Sequence, residues 1–410
     1  MQTFVKTLLL TALLFRIALF LLPSFNIDMN GWKAWSYRLA QVGASNFYSP
    51  EYFSDYFPGY LYILWISGTL FNFLSIPINS LYFEFFLKFI TTIFDIGSAL
   101  IIYKIVLNHN RRFAPWSAIF YLLNPAVAFN SSAWGQVDGI FTFFILLSCF
   151  FLTEKKKIFK SSVATVLGIL VKPHSLALIP VLSFFIFKNF SIEKILKSLI
   201  VSVFLLIVLS LPFFPKNPLF GLLELANKSQ DVYQYTSLFA FNFWGIVGSW
   251  RPDNQILVLS YKTWGTVLYL FSLVLIFFPI IRKKISSKQF YFIAALTLFS
   301  FFLFLTRMHE RYLFPFLSFI LIAAIINKSK ALFSIYIISS ILHLINLWFV
   351  YYYYNFIYEI SSSAYNFVDP LIANYAYLFI NNNFKFFSIL MVTLFLYLLF
   401  VYYKSYAKKD

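Results

Sequence analysis

The chain has 410 residues, 61% of them hydrophobic and only 11% charged, with a formal net charge of +17. That balance excludes a soluble globular protein and reads as an all-α polytopic membrane protein. The basic excess does not call for nucleic acid: most Lys and Arg fall in short loops between apolar runs, the positive-inside pattern, and the 23% aromatic share fits interfacial belts.

A spanning helix needs ~20 apolar residues, and residues 4–22 supply the first. No small-residue cleavage pattern follows, so this run is expected to stay as a span rather than leave as a signal peptide. An external loop, 23–57, comes next and carries Asp28 and Asp55. Within it, 31–43 spaces Trp32, Trp35 and Leu39 at helical intervals, which predicts a short amphipathic helix on the membrane surface. The run 59–76 is apolar, yet if it crossed, Arg111, Arg112 and the four lysines within 154–160 would face outward. It is therefore expected to be re-entrant or juxtamembrane.

From there spans alternate: 83–106 inward, 115–129 outward, 139–153 inward. Residues 161–187 predict two short helices broken at Pro173, beginning and ending inside. The run 196–213 leads to a second external loop, 214–262, and 263–281 returns. Then 290–306, 312–326 and 331–350 alternate up to a third external loop, 351–384, before 386–403 ends inside. The total is about 11–13 spans in one domain over 1–410, with no internal repeat. Cys149, the only cysteine, lies in an apolar run and can form neither an intrachain disulfide nor a cysteine metal site.

Charged and polar groups at membrane depth need a partner or a purpose. Lys88 and Asp95, two turns apart, either pair across a helix interface or flank an external site. Asp28 and Asp55 are either solvated loop acids or supply a carboxylate beside apolar walls that acts as a general base on a hydroxyl brought to the membrane surface. Trp134, Gln136 and Asp138 in S-A-W-G-Q-V-D-G combine an indole, an amide and a carboxylate, a set that holds a sugar or simply anchors an interfacial loop. Lys172 and His174 flank Pro173 and either meet a phosphate or snorkel. Arg307, His309 and Arg311 in R-M-H-E-R-Y form an anion trap in which Glu310 orients His309. Asn242 and Trp244 stand among apolar residues of the second loop. No Walker pattern, G-x-G-x-x-G or D-x-D is present, so a cytoplasmic nucleotide-sugar donor is not expected; acids beside a cationic site next to lipid point to a lipid-linked substrate.

The ordered set of motifs resembles the GT-C superfamily of integral-membrane glycosyltransferases. The likeness is nearest to its polyprenyl-phosphate-sugar-dependent mannosyltransferases and glucosyltransferases. It rests on Asp28, then Asp55-Tyr56-Phe57-Pro58 (with Phe57 where that branch has proline), Lys88 with Asp95, W-G-Q-V-D-G, K-P-H, T-S-L-F-A-F-N-F-W and H-E-R-Y-L-F-P. The resemblance implies a GT-C-like bundle and an inverting transfer of a sugar, a hexose such as mannose or glucose, at the outer leaflet. It makes Asp28 the general base, His309 and Arg311 the holders of the leaving phosphate, and Gln136 and Asp138 shapers of the sugar site. Asp55, Tyr56, Trp134, Lys172, His174, Asn242 and Trp244 are expected to line the substrate site, and Arg307 to join the phosphate site. Expected partners are the bilayer, a lipid-linked donor and a glycan, glycolipid or protein acceptor; no cofactor, metal or nucleic acid is expected. The expected home is a prokaryotic plasma membrane, with the site facing out. A flippase of lipid-linked sugars, or an assembly subunit of an envelope polysaccharide complex, are the alternative readings.

Overall fold

Long apolar runs become helices, and proline or a polar cluster marks most of the breaks. A computed structural model of the chain describes residues 2–256, 258–358 and 369–407. Its described part is all-α, with only three pairs of bridged residues and two two-residue strand pairs besides. In chain order the helices open with α1 (Gln2–Leu19), α2 (Asn26–Val42), α3 (Pro58–Phe73), α4 (Leu81–His109), α5 (Ala114–Leu122) and α6 (Pro125–Ala128). Next come α7 (Asp138–Thr153), α8 (Ile158–Val171), α9 (Ile179–Asn189), α10 (Ile192–Ser210), α11 (Pro218–Asp231) and α12 (Phe243–Val247). The last six are α13 (Tyr261–Phe277), α14 (Ser287–Phe304), α15 (Phe314–Ile326), α16 (Lys330–Tyr352), α17 (Pro370–Asn382) and α18 (Phe384–Ala407).

Among the described residues, five helical stretches are long and apolar enough to cross a membrane: Leu81–His109, Tyr261–Ile280, Ser287–Phe304, Lys330–Tyr358 and Phe384–Ser405. The core is α15, buried at every residue, packed against α14 and α16. Outer helices turn apolar side chains away from the protein, as with Leu199, Ile200 and Phe204 of α10, the reverse of a soluble surface.

Two ends of the bundle differ in chemistry. At one, the C-terminal ends of α4, α7 and α15 meet the start of α14: His109 contacts Glu154 at 3.2 Å, Asn110 donates to the Ile325 carbonyl, and Ser287 donates to that of Thr153. The basic turns Arg111–Arg112 and Lys155–Lys157 belong to this end. At the opposite end lie the starts of α2, α4, α7 and α15 and the finishes of α8 and α14. Helix α3 has both ends here. A Cβ on Gly59 would stand 2.5 Å from the Leu170 backbone at the end of α8, while Phe71 packs 4.9 Å from Phe83 at the start of α4.

Several boundaries differ from expectation. Helix α2 begins at Asn26, five residues before the predicted amphipathic helix, so Asp28 is a first-turn helical residue and not a loop acid. The run 115–129 is interrupted, because Asn124 accepts from the Ala126 and Val127 amides and Pro125 restarts the chain as α6. The second loop contains α11 and α12, and the third contains α17; residues 359–368 of that loop lie outside the described residues. Lys88 and Asp95 do not pair with each other. Both turn to the end of α1, where Arg16 meets Asp95 at 2.6 Å and Lys88 donates to the Phe20 and Leu22 carbonyls.

Candidate functional site

Asp28 sits in the first turn of α2, where unpaired backbone amides favour a carboxylate. Its Oδ2 accepts two hydrogen bonds, from Trp134 Nε1 at 3.0 Å and Gln136 Nε2 at 2.7 Å. The Gln136 Oε1 accepts from the Val137 amide, which fixes the direction of the amide group. The Trp134 ring stacks on Phe25 at 4.3 Å. Gly135, between the two donors, has φ +86°, a left-handed conformation that lets both side chains turn to the same oxygen. The tryptophan and glutamine expected to hold a sugar are therefore spent, at least in part, on orienting the acid.

Asp138, fully buried at the start of α7, meets Lys172 Nζ at 2.5 Å and accepts from Asn130. Lys172 is the residue at which α8 stops and the chain turns extended into Pro173. Burial lowers the Lys172 ammonium's pKa and Arg311 lowers it further, while Asp138 works against both.

The Tyr312 ring gathers the cationic groups. Lys172 lies 4.7 Å from its centroid and Arg311 5.5 Å, while the His174 ring is 3.9 Å and the His309 ring 5.2 Å away. Glu310, buried beneath, bonds Arg311 Nη1 at 3.0 Å and faces His309 Nδ1 at 3.8 Å. Burial pushes the Glu310 carboxyl up, but the facing His309 ring and the Arg311 charge outweigh it and bring it down to about 2. Burial and then Arg311 lower the His309 pKa, with Glu310 opposing them, and burial, Lys172 and Arg311 lower that of His174 further. Arg311 is the opposite case: burial works against its charge, and the Asp28 and Glu310 carboxylates hold it firmly cationic.

Asp55 and Tyr56 stand within reach of both Asp28 and Arg311. Tyr56 packs on Trp35 at 5.2 Å and on Tyr60 at 5.5 Å. Burial raises the Asp55 carboxyl, Asp28 adds to the rise, and Arg311 and Lys172 oppose it. The field of Asp28 reaches Asp55, Tyr56, Lys172, His309 and Arg311, so groups nearly three hundred residues apart share one site.

Three expected members are held by other work. Arg307 pairs with Asp253 at 3.1 Å and Asp231 at 3.6 Å and also donates to the Gln230 carbonyl. Asn242 caps α12 and donates to the Phe302 carbonyl, and Trp244 Nε1 donates to that of Phe304 at 2.6 Å. These two lock the second loop onto the end of α14. Two members were not singled out from the sequence. Tyr312 was visible as the residue after His309-Glu310-Arg311; Tyr233, whose ring stands edge-on to His309 at 5.5 Å, had no local signal.

No known family profile and no curated protein matches this chain.

Proposed function

We propose that the protein is a membrane-embedded inverting glycosyltransferase of the GT-C kind, moving a sugar from a lipid-phosphate donor to an acceptor hydroxyl. The observation that carries this reading is the paired hydrogen bond from Trp134 and Gln136 to one oxygen of Asp28. It leaves Oδ1 without a protein partner among the described residues, in the same site as the cations around Tyr312. A carboxylate fixed in this way is a positioned base.

In the proposed step Asp28 takes the proton of the acceptor hydroxyl as its oxygen bonds to the anomeric carbon. The bond from that carbon to the phosphate oxygen breaks, and the electron pair leaves with the phosphate. Arg311, held charged, stabilises the oxygen that gains charge, with the His309 ring beside it. Glu310 keeps both in place. One acid and one cationic site suffice for this reaction.

Basic turns gathered at the far end of the bundle favour that end as cytoplasmic, and so the site as external. Counting α1, α4, α5, α7–α10, α13–α16 and α18 as crossings, with α3 lying along one surface, gives about a dozen passes.

The test supplies washed membranes with a panel of radiolabelled polyprenyl-phosphate sugars. The reading expects sugar transfer and release of polyprenyl phosphate in equal amounts, with the anomeric configuration inverted. Movement of intact lipid-linked sugar between leaflets without release would contradict it and favour a flippase.

A further inference from the structure

The last turn of α11 and residues 232–236, which lead to the short strand Ser237–Leu238, form a strap between the first loop and the turn that carries His309. One end is tied to the first loop, where Ser229 Oγ donates to the Asp55 carbonyl at 3.1 Å. The other is tied to the turn that carries His309 and Arg311. The Arg307 amide donates to the Tyr235 and Thr236 carbonyls, and Ser237 and Leu238 pair in parallel with Met308 and His309. The Arg307 side chain closes the loop by holding Gln230 and Asp231 before the strap's midpoint and Asp253 beyond it. Arg307 does this from a left-handed backbone, φ +63°, an unfavourable conformation for a residue with a side chain.

Tyr233 is the residue this strap presents. Its ring stands edge-on to His309 at 5.5 Å and to Trp250 at 6.4 Å. Its phenol lies in the fields of Asp55, Arg311 and Asp28, yet has no hydrogen-bond partner among the described residues. A half-buried tyrosine whose ring rests against His309 can donate its hydroxyl to a ligand bound beside that histidine.

We propose that Tyr233 is a ligand-contacting residue that donates to the phosphate held by His309 and Arg311, carried there on a strap that Arg307 latches. The inference rests on the proposed phosphate site. It gives Arg307 a positioning role in place of direct phosphate contact.

The test measures binding of farnesyl phosphate, with farnesol as the uncharged control, to purified protein in nanodiscs. Tyr233→Phe is expected to weaken farnesyl phosphate by about tenfold, the size of one hydrogen bond to an anion, and to leave farnesol unchanged. Asp253→Asn, which keeps the acceptor for the Lys262 amide but breaks the latch, is expected to weaken it as well. The pair Asp253→Asn with Arg307→Gln is expected to cost no more than Arg307→Gln alone. Wild-type affinity in Tyr233→Phe, or an equal loss for farnesol, would overturn the contact. Loss in Arg307→Gln with none in Asp253→Asn would overturn the latch and make Arg307 a phosphate ligand. If the wild type bound farnesol and farnesyl phosphate alike, the phosphate site itself would fall, and this inference with it.

Discussion

Asp28 and Asp55 are both carboxylates at the polar end of the bundle, yet their surroundings assign them different work. Asp28 has two side-chain donors on one oxygen, whereas Asp55 is partly buried with a like charge nearby and its acidity is weakened. The direction of that shift fixes a stability prediction. Because folding raises the Asp55 pKa, the folded chain binds the proton more readily than the unfolded chain does. Stability is full below the ordinary carboxylate value of 3.8 and falls as pH rises through the higher folded value. Asp55→Asn is therefore expected to raise the melting temperature at neutral pH, with the gain shrinking toward zero as pH approaches the ordinary carboxylate range. Thermal unfolding in detergent across pH checks this; a neutral-pH melting temperature below the wild type would contradict it. Single residues such as Asp28 and His309 were legible in the sequence as charged or polar groups in loops between apolar runs. Their partners were not, because a hydrogen bond across more than a hundred residues leaves no periodic trace.

Among elements, α1 shows what a hydropathy pattern conceals. Arg16 lies in the middle of a run that reads as a plain apolar span, and averaging over the run hides it. Its guanidinium is fully buried against Asp95 of α4 and also donates to the Leu122 carbonyl of α5, so one side chain clamps three helices. Breaking one half of a buried pair strands the other charge, at a cost of about 3–5 kcal/mol; replacing both by apolar residues costs far less. Arg16→Leu or Asp95→Leu alone is expected to lower the melting temperature sharply, and the double substitution to recover most of the loss. Equal or additive losses would contradict the clamp. The signal was present, since an arginine and an aspartate in separate apolar runs each require a partner. Helix α11 is a different case: it sits in a loop by hydropathy, and its helical face is set by packing Leu222 and Leu225 onto Phe57, Val166 and Leu170. The break at Pro173 was readable from proline's missing amide.

At the scale of the whole molecule, polar chemistry and basic turns occupy opposite ends of one helical bundle. The all-α class and the apolar, membrane-length helices were legible from composition and run length alone, because those properties are local sums. The site's assembly was not, since it depends on which helix ends meet: Asp138 with Lys172, and Trp134 with Asp28. Sidedness is testable with a chain in which Cys149 is replaced by alanine and a single cysteine is placed at Lys155 or Asn254. An impermeant thiol reagent added to intact cells is expected to label Asn254→Cys, near the site, and to spare Lys155→Cys; the reverse pattern would turn the site to the cytoplasm. The central claim, that Asp28 is the base opposite a phosphate held by His309 and Arg311, meets its most direct test in one comparison. Wild type and Asp28→Asn are given the same polyprenyl-phosphate sugar, and transfer rate and donor affinity are measured side by side. The account predicts that the asparagine variant loses about 10²–10⁴-fold in rate while its donor affinity changes little. Equal rates in the two proteins would remove Asp28 from the chemistry.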